Sequence, residues 1–114
     1  MKIISWNLRE IQSKSRQRSL RNILEEENPD ILMLQETKCL GQQAQTIIQR
    51  HWRQVEVVTI DAQGYSGGIA LAWIPESIQM NTYWTTRKMI TTQFHYRGMN
   101  IQGFITLVYD PNAP

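Results

Sequence analysis

The sequence has very little cysteine and no long apolar run. Its single cysteine, Cys39, excludes an internal disulfide and is typical of proteins in a reducing compartment. No apolar stretch approaches the length needed to span a bilayer, and the first residues lack a signal-peptide pattern. These absences predict an intracellular protein, cytoplasmic or nuclear, with no membrane partner.

The residues that are present indicate one folded domain. The chain of 114 residues is 41% hydrophobic and contains four Trp, which favours a packed core over disorder. No repeat, linker or low-complexity segment divides it, so we expect a single domain over residues 1–114. The net charge of +2 is compatible with a nucleic-acid partner but indicates one only weakly.

The first half of the sequence predicts a β-α-β unit. Residues 1–6 and Ile31–Leu34 are short apolar runs, which are typical of buried strands. Between them a helix can begin at a cap formed by Ser13 or Ser15 and end near Glu27, where an Asn-Pro pair disfavours helical geometry. This order predicts two parallel strands joined by a right-handed crossover.

The second half predicts a short helix followed by mostly antiparallel strands. Gln42–His51 has helical apolar spacing, and the later segments are apolar or alternate in the way that strands do. The expected strands are residues 54–61, 68–74, 78–84, 89–96 and 99–109. An Arg-Gly turn between the last two is typical of a β-hairpin. The sequence therefore predicts an α/β fold, a mixed β-sheet with helices on one face.

Polar residues follow the two predicted parallel strands, Asn7 after the first and Glu36 after the second. Open α/β sheets bind ligands at the carboxyl ends of such strands. A carboxylate there is costly to bury without a cation, which either Lys38 or a divalent metal could provide. Two ordinary roles remain open, a surface ion pair between Glu36 and Lys38 and a turn capped by Asn7.

Four motifs occur in order along the chain: Ile3–Arg9, Asn28–Lys38, Ser66–Leu71 and Val108–Asn112. Together they resemble the amino-terminal half of the endonuclease/exonuclease/phosphatase superfamily, which has the DNase I-like fold. Within that superfamily the sequence is most similar to the endonuclease domains of LINE-type retrotransposons. The resemblance implies half of a four-layer α/β sandwich, derived from a Mg²⁺-dependent phosphodiesterase.

The resemblance also implies roles for four residues. Asn7 matches an active-site asparagine near the metal, and Glu36 matches the glutamate that binds Mg²⁺. Tyr109 and Asn112 match residues near the scissile phosphate. Carboxylate and amide oxygens suit Mg²⁺, and Tyr and Asn side chains can donate hydrogen bonds to phosphate oxygens. The implied metal ligands are therefore Glu36 and Asn7, and the implied catalytic residues are Asn7, Tyr109 and Asn112.

Two later motifs of the family are missing from this sequence. One is an Asp-x-Asn motif that positions the attacking water, and the other is an Asp-His pair that completes the site. His51 and His95 fall elsewhere in the pattern and do not replace the missing histidine. We therefore expect negligible hydrolysis by this chain alone and a role through protein–protein interaction or homodimerisation. The alternative is the amino-terminal fragment of an active Mg²⁺-dependent endonuclease that cleaves DNA.

A half-fold that supplies only one sheet is expected to leave the inner face of that sheet bare. The candidates for that face, or for its helix-covered reverse, are Ile69, Leu71, Trp73, Phe104 and Ile105. At about 25 cal/mol per Å², an exposed apolar face of several hundred Å² would cost many kcal/mol. A second copy packed on this face would remove that cost, so the sequence predicts a homodimer. Another protein partner would serve the same purpose.

Overall fold

The computed structural model describes residues 1–109 of the chain. Its elements are β1 (Ile3–Asn7), α1 (Lys14–Glu27), β2 (Ile31–Gln35), α2 (Gly41–His51), β3 (Glu56–Gln63), β4 (Ser66–Trp73), β5 (Ile78–Thr85), β6 (Met89–Tyr96) and β7 (Ile101–Val108). Both helices and all of these strands are predicted from the sequence, with ends displaced by one or two residues.

The ends of α1 follow from local chemistry. The Ser13 side chain accepts a hydrogen bond from the backbone N–H of Arg16, which makes Ser13 the cap. The helix stops at Asn28, whose left-handed conformation (φ 47°) directs its N–H to the Leu24 carbonyl. Within residues 1–109, neither helix is both long enough and apolar enough to cross a membrane.

The first sheet has the strand order β1-β2-β4-β3. β1 and β2 are parallel, as predicted, and β4 pairs antiparallel with both β2 and β3. Both helices pack on one face of this sheet, because alternate strand residues such as Leu32, Leu34 and Ala70 share a core with Leu20 of α1 and Ile48 of α2. The predicted mixed sheet with helices on one face is confirmed.

The last three strands form a second sheet, with the order β5-β6-β7, on the other face of the first. The core between the two sheets consists of the buried residues Ile31, Ile69, Leu71, Trp73, Ile78, Ile90, Phe94 and Leu107. The expectation that the first sheet has a bare inner face is therefore wrong, because the chain covers that face itself. Strand alternation reveals which residues point inward, but it does not reveal which sheet a strand joins.

Phe104 also differs from its predicted position. It lies on the far side of the second sheet and is 65% exposed, whereas Ile105 points inward to the core between the sheets. Trp84 of β5 is 53% exposed, and its ring centroid is 6.5 Å from that of Phe104. We call these two residues the outer aromatic patch. The described chain thus has three layers: helices, first sheet and second sheet.

Packing between the two sheets predicts that Ile90→Ala is strongly destabilising. Ile90 is fully buried in that core, so we expect the free energy of unfolding to fall by about 2–5 kcal/mol in urea denaturation. Ile101→Ala in the adjacent strand is a matched control. Because Ile101 is 41% exposed, its replacement should lower the free energy of unfolding much less. Equal losses for the two variants would contradict this packing.

Candidate functional site

The parallel pairing of β1 and β2 brings Asn7 and Glu36 to one edge of the first sheet. Asn7 is the register partner of Gln35, and Glu36 follows Gln35 directly. Beyond the strands, the Leu8 N–H donates to the Gln35 carbonyl at 3.2 Å, so the two chain segments leave the sheet together. The two predicted metal ligands therefore lie at adjacent strand ends.

The Asn7 side chain has an unusual environment. Its Oδ1 is buried and has no hydrogen-bond partner among the described residues. A buried acceptor without a donor costs about 1–3 kcal/mol, so it is rare unless something else satisfies it. The ordinary role, a turn capped by Asn7 Oδ1, is not observed. A cation beside this oxygen would satisfy it.

Glu36 lies in a backbone conformation that non-glycine residues seldom adopt. Its φ is 56°, and that of Lys38 is 58°. In the adjacent segment after β1, Arg9 (φ 61°) and Glu10 (φ 116°) also have positive φ. Each such residue costs about 1–2 kcal/mol, and strain of this kind concentrates at functional sites.

Backbone hydrogen bonds hold these strained segments in place. The Glu10 N–H donates to the Glu36 carbonyl at 2.9 Å. The Thr37 N–H donates to the Gly68 carbonyl at 3.1 Å, and the buried Thr37 side chain is only 1% exposed. The segment that carries Glu36 is thus fixed on one side by the segment after β1 and on the other by the start of β4.

Glu36 does not form the surface ion pair considered above. The single ion pair within residues 1–109 joins Lys2 to Glu27, at 3.0 Å. Glu36 is partly buried at the strand end adjacent to that of Asn7, and within residues 1–109 it forms no ion pair with Lys38. The amide and carboxylate oxygens of these two residues are ligand types that a hard divalent cation prefers.

Tyr109 comes to the same end of the molecule although it follows the second sheet. The Gln35 side chain donates from Nε2 to the Val108 carbonyl at 2.9 Å, which ties the end of β2 to the end of β7. The Tyr109 N–H donates to the Lys88 carbonyl at 2.8 Å. The Tyr109 hydroxyl lies 3.4 Å from the Ser66 hydroxyl, within reach of a hydrogen bond.

A cleft of about 210 Å³ opens beside Tyr109. Its lining includes Ser66 and three charged residues, which are Asp61 and the two cations Arg87 and Lys88 from the turn between β5 and β6. Asn7 and Glu36 do not line this cleft, so the predicted metal ligands and the predicted phosphate contact occupy neighbouring positions joined through Gln35. The two cations outnumber the single carboxylate, so the cleft carries a net positive charge.

The remaining predicted residues are not part of this arrangement. Asn112 lies outside the described residues, as does Asp110. His51 ends α2 and contacts α1, and His95 pairs with Asn100 at 2.9 Å through its Nε2. Within residues 1–109 no group of three His, Cys, Asp or Glu side chains could hold a metal, so any ion would rest on one carboxylate and neutral oxygens.

Sequence reasoning missed two residues of this site, Gln35 and Ser66. Both lie inside recognised motifs, one just before Glu36 and the other just before Gly67. Their side-chain contacts with the end of β7 span 73 and 43 residues of sequence, respectively. Motif membership was the available signal, but contacts over such separations appear only in the folded chain.

Cys39, close in sequence to Glu36, is not part of a reactive site. Its side chain is buried, at 6% exposure. Burial raises the pKa of the Cys39 thiol, and the nearby Asp61 charge raises it further. A thiol in this environment stays protonated and is a poor nucleophile.

Comparison with known proteins identifies the family. The model of the endonuclease/exonuclease/phosphatase family matches residues 4–76. This chain belongs to that family. Among curated proteins, none matches it.

Solved structures share the fold at low sequence identity. The human Nocturnin catalytic domain aligns with a TM-score of 0.71 and 14% identity, over 93% of this chain and 48% of Nocturnin. The AP endonuclease LMAP from Leishmania major aligns with a TM-score of 0.71 and 18% identity, over 95% and 39% of the two chains. The 3′ phosphatase NExo from Neisseria, bound to product DNA hairpin, aligns with a TM-score of 0.64 and 23% identity, over 96% of this chain and 41% of NExo.

These alignments establish a DNase I-like fold for the described chain, the predicted fold class. The chain spans about half the length of these structures, or less. Identities this low support the fold alone, so activity and substrate need separate arguments.

The close contact between Gly68, at the start of β4, and Thr37 provides a test of how the segment that carries Glu36 is held in place. Gly68 has φ 86°, and a Cβ there would collide with the Thr37 hydroxyl oxygen. We expect Gly68→Ala to lower the free energy of unfolding by about 3 kcal/mol or more, from conformational strain plus overpacking. The measurement is chemical denaturation.

Gly64→Ala is the matched control. Gly64 also has positive φ (63°), but nothing lies within 4 Å of an added Cβ. This variant should lower the free energy of unfolding by only about 1 kcal/mol, from backbone strain. If the two variants were equally stable, Thr37 would not be packed against the start of β4.

Proposed function

We propose that this chain is the amino-terminal half of a Mg²⁺-dependent phosphodiesterase domain and that residues 1–114 form a truncated domain. In this proposal it holds the metal and one side of the phosphate but does not hydrolyse a phosphodiester by itself. It then acts through protein–protein interaction or as a homodimer. The observation that carries the proposal is the buried Asn7 Oδ1, which has no partner among the described residues, at the strand end adjacent to Glu36.

The metal would be held by the Glu36 carboxylate and Asn7 Oδ1. Mg²⁺ is commonly bound by one or two carboxylates while it retains several waters, so this small donor set is sufficient. When bound, the ion would supply Lewis-acid polarisation of a phosphate oxygen and charge stabilisation of the leaving oxygen. The backbone hydrogen bonds around Glu36 support a ligand position that is fixed before the metal arrives.

The phosphate would be held on the opposite side by hydroxyl donors. The Tyr109 and Ser66 hydroxyls lie 3.4 Å apart, and either can donate to a phosphate oxygen. Arg87 and Lys88 add positive charge to the same cleft. We assign the same role to Asn112 on its motif alone, because it lies outside the described residues.

General base catalysis is the function this chain lacks in the proposal. His51 already hydrogen-bonds with α1, and His95 with Asn100, at positions away from Asn7 and Glu36. A base must lie within hydrogen-bond reach of the attacking water to accept its proton. Neither histidine fits that requirement.

The second candidate function is that of an active Mg²⁺-dependent endonuclease that cleaves DNA, of which this chain is the amino-terminal part. The observation that favours it is the coverage, since the chain spans 39–48% of the Leishmania and human structures. We further infer that the domain descends from a LINE-type retrotransposon endonuclease, on the basis of the four ordered motifs in the sequence.

Metal binding tests the proposal directly. We expect the chain to bind one Mn²⁺, used as a paramagnetic substitute for Mg²⁺, and Mg²⁺ to displace it. Glu36→Gln should weaken this binding about tenfold or more, because the only charged ligand is lost. Electron paramagnetic resonance of free Mn²⁺ gives the dissociation constants.

Glu56→Gln is the control for charge, since Glu56 is an exposed carboxylate at the start of β3. It should leave Mn²⁺ affinity unchanged. If Glu36→Gln also leaves it unchanged, the metal site is not at Glu36. Mg²⁺-dependent plasmid nicking that disappears in Glu36→Gln would overturn the claim that this chain is inactive alone and favour the second candidate function.

Because the second sheet covers the inner face of the first, the homodimer proposal rests instead on exposed features of the structure. The outer aromatic patch, Trp84 and Phe104, remains largely exposed, and exposed Val108 lies beyond it on β7. Among the described strands, β1 and β7 also lie at the edges of their sheets, where backbone groups can pair with another chain. A second copy placed on this face would cover both aromatic rings.

Sedimentation velocity tests this association. We expect a reversible dimer at micromolar concentration, and we expect the double variant Trp84→Ser with Phe104→Ser to shift it to monomer. Tyr65→Ser is the control, because Tyr65 is 95% exposed but lies away from the patch, in the turn between β3 and β4. A wild-type protein that stays monomeric at high concentration would rule out the homodimer.

A further inference from the structure

A polar groove separates the two helices on the outer side of the first sheet. At one place it is lined by Lys14, Gln17, Arg18 and Arg21 of α1 and by His51 of α2. At the next it is lined by Gln12, which precedes α1, and by α2 residues that include Thr46 and Arg50. We call this the α1–α2 groove. It lies on the helical face, whereas Asn7 and Glu36 lie at the edge of the sheet.

The charge of the α1–α2 groove is entirely positive. Lys14, Arg18 and Arg21 recur at helical spacing on one side of α1, and Arg50 projects from α2. No Asp or Glu lines either part of the groove. None of these cations has an ion-pair partner among residues 1–109, where the one ion pair is Lys2 with Glu27.

Hydrogen bonds to Arg21 and Gln17 favour one neutral tautomer of His51. The Arg21 guanidinium can only donate, so His51 Nδ1, 3.4 Å away, must be the acceptor. The ring proton is therefore on Nε2, which lies 3.3 Å from Gln17 Oε1 and donates to it. The Gln17 amide in turn donates to the Ile11 carbonyl at 3.0 Å. This chain of bonds links exposed Arg21 and partly buried His51 to the segment before α1.

The positive charges around the groove affect the pKa of His51 in the direction expected for a cationic site. Burial lowers the pKa of His51, and the charges of Arg21 and Arg50 lower it further. Lys14 and Arg18 line the same cleft and add to that potential. A folded-state pKa below the unfolded value means that stability falls as pH drops below the ordinary histidine range. A bound anion would reverse this shift.

We propose that the α1–α2 groove binds the sugar-phosphate backbone of a nucleic acid, with Lys14, Arg18 and Arg50 as the phosphate contacts. Lys14 and Arg18 are one helical turn apart, about 6 Å along the axis, so both side chains can reach phosphates of the same strand. Gln and Thr side chains along the groove add neutral donors of the kind that contact phosphate and sugar. The contact depends on the charge and spacing of the phosphates and not on the base sequence.

Fluorescence anisotropy with a short labelled DNA duplex, in the presence of a metal chelator, tests the groove. The double variant Arg18→Gln with Arg50→Gln leaves the Arg21–His51–Gln17 bonds intact. We expect it to bind DNA about tenfold more weakly at low salt. The slope of log affinity against log salt should also become shallower by about 1–2.

Arg16→Gln with Arg53→Gln is the matched control. It removes the same charge from the same α1 helix and from the segment just after α2, but neither residue lines the groove. It should bind DNA as the wild type does. Equal weakening of both double variants would mean that DNA responds only to net charge, and the assigned groove would be wrong.

The His51 ring provides a second readout. In an NMR pH titration, the duplex should raise the pKa of His51 in the wild type and in the control variant, but much less in Arg18→Gln with Arg50→Gln. Polyglutamate is the competing polyanion. If it raised the His51 pKa and displaced DNA at equal charge concentration, an acidic protein would be the better partner, and the nucleic-acid assignment would fail.

This inference does not rest on the proposed metal site. The Mn²⁺ measurement on Glu36→Gln reports on the edge of the sheet, whereas the chelator-treated DNA measurement on Arg18→Gln with Arg50→Gln reports on the helical face, since Glu36 does not line the groove. Loss of metal binding without loss of DNA binding, or the reverse, would therefore distinguish failure of one proposal from failure of the other.

Discussion

The fixed register between β1 and β2 is the constraint on which the site depends. Five residue pairs align in parallel, from Ile3 with Ile31 to Asn7 with Gln35, and the following residues continue the alignment through the Leu8 and Glu10 amides. A slip of one residue would turn the apolar side chains of a strand to the wrong face. Burial of Leu32 and Leu34 under the helices therefore also determines that Asn7 ends beside Glu36.

The second constraint is the apolar core between the two sheets, which brings a distant part of the chain to the same edge. Because Ile31 and Leu71 pack against Ile90 and Leu107, β7 ends near the end of β2 and Gln35 reaches the Val108 carbonyl. Tyr109 then lies over Gly67, its ring 3.4 Å from a Cβ built there. The chemistry proposed at this edge thus needs both cores. The strained backbone around Glu36 persists because these cores and the hydrogen bonds between the loops over-determine it.

The two faces of the first sheet differ in charge, because one is covered by cationic helices and the other by an apolar core. The helical face carries the cations of the α1–α2 groove, which have no ion-pair partner within residues 1–109, whereas the opposite face is apolar and packs against the second sheet. No acidic residue occurs between Glu76 and Asp110, so the second sheet carries only the cations Arg87, Lys88 and Arg97. The solved structures that share the fold include enzymes of different names at identities below 25%, so they support the fold alone.

The sequence by itself determined the elements, the parallel β1-α1-β2 unit, the family and the expected positions of Asn7, Glu36 and Tyr109. These are local signals, since hydrophobic period, the Ser13 cap and motif order depend on residues that are near in sequence. Only the tertiary structure decided that β5, β6 and β7 form a separate sheet, that this sheet covers Ile69 and Leu71, and that Phe104 points outward. It also decided that Asn7 Oδ1 is left without a partner. Alternation specifies two faces for each strand but not the neighbour of either face, because that choice depends on packing between residues far apart in the chain.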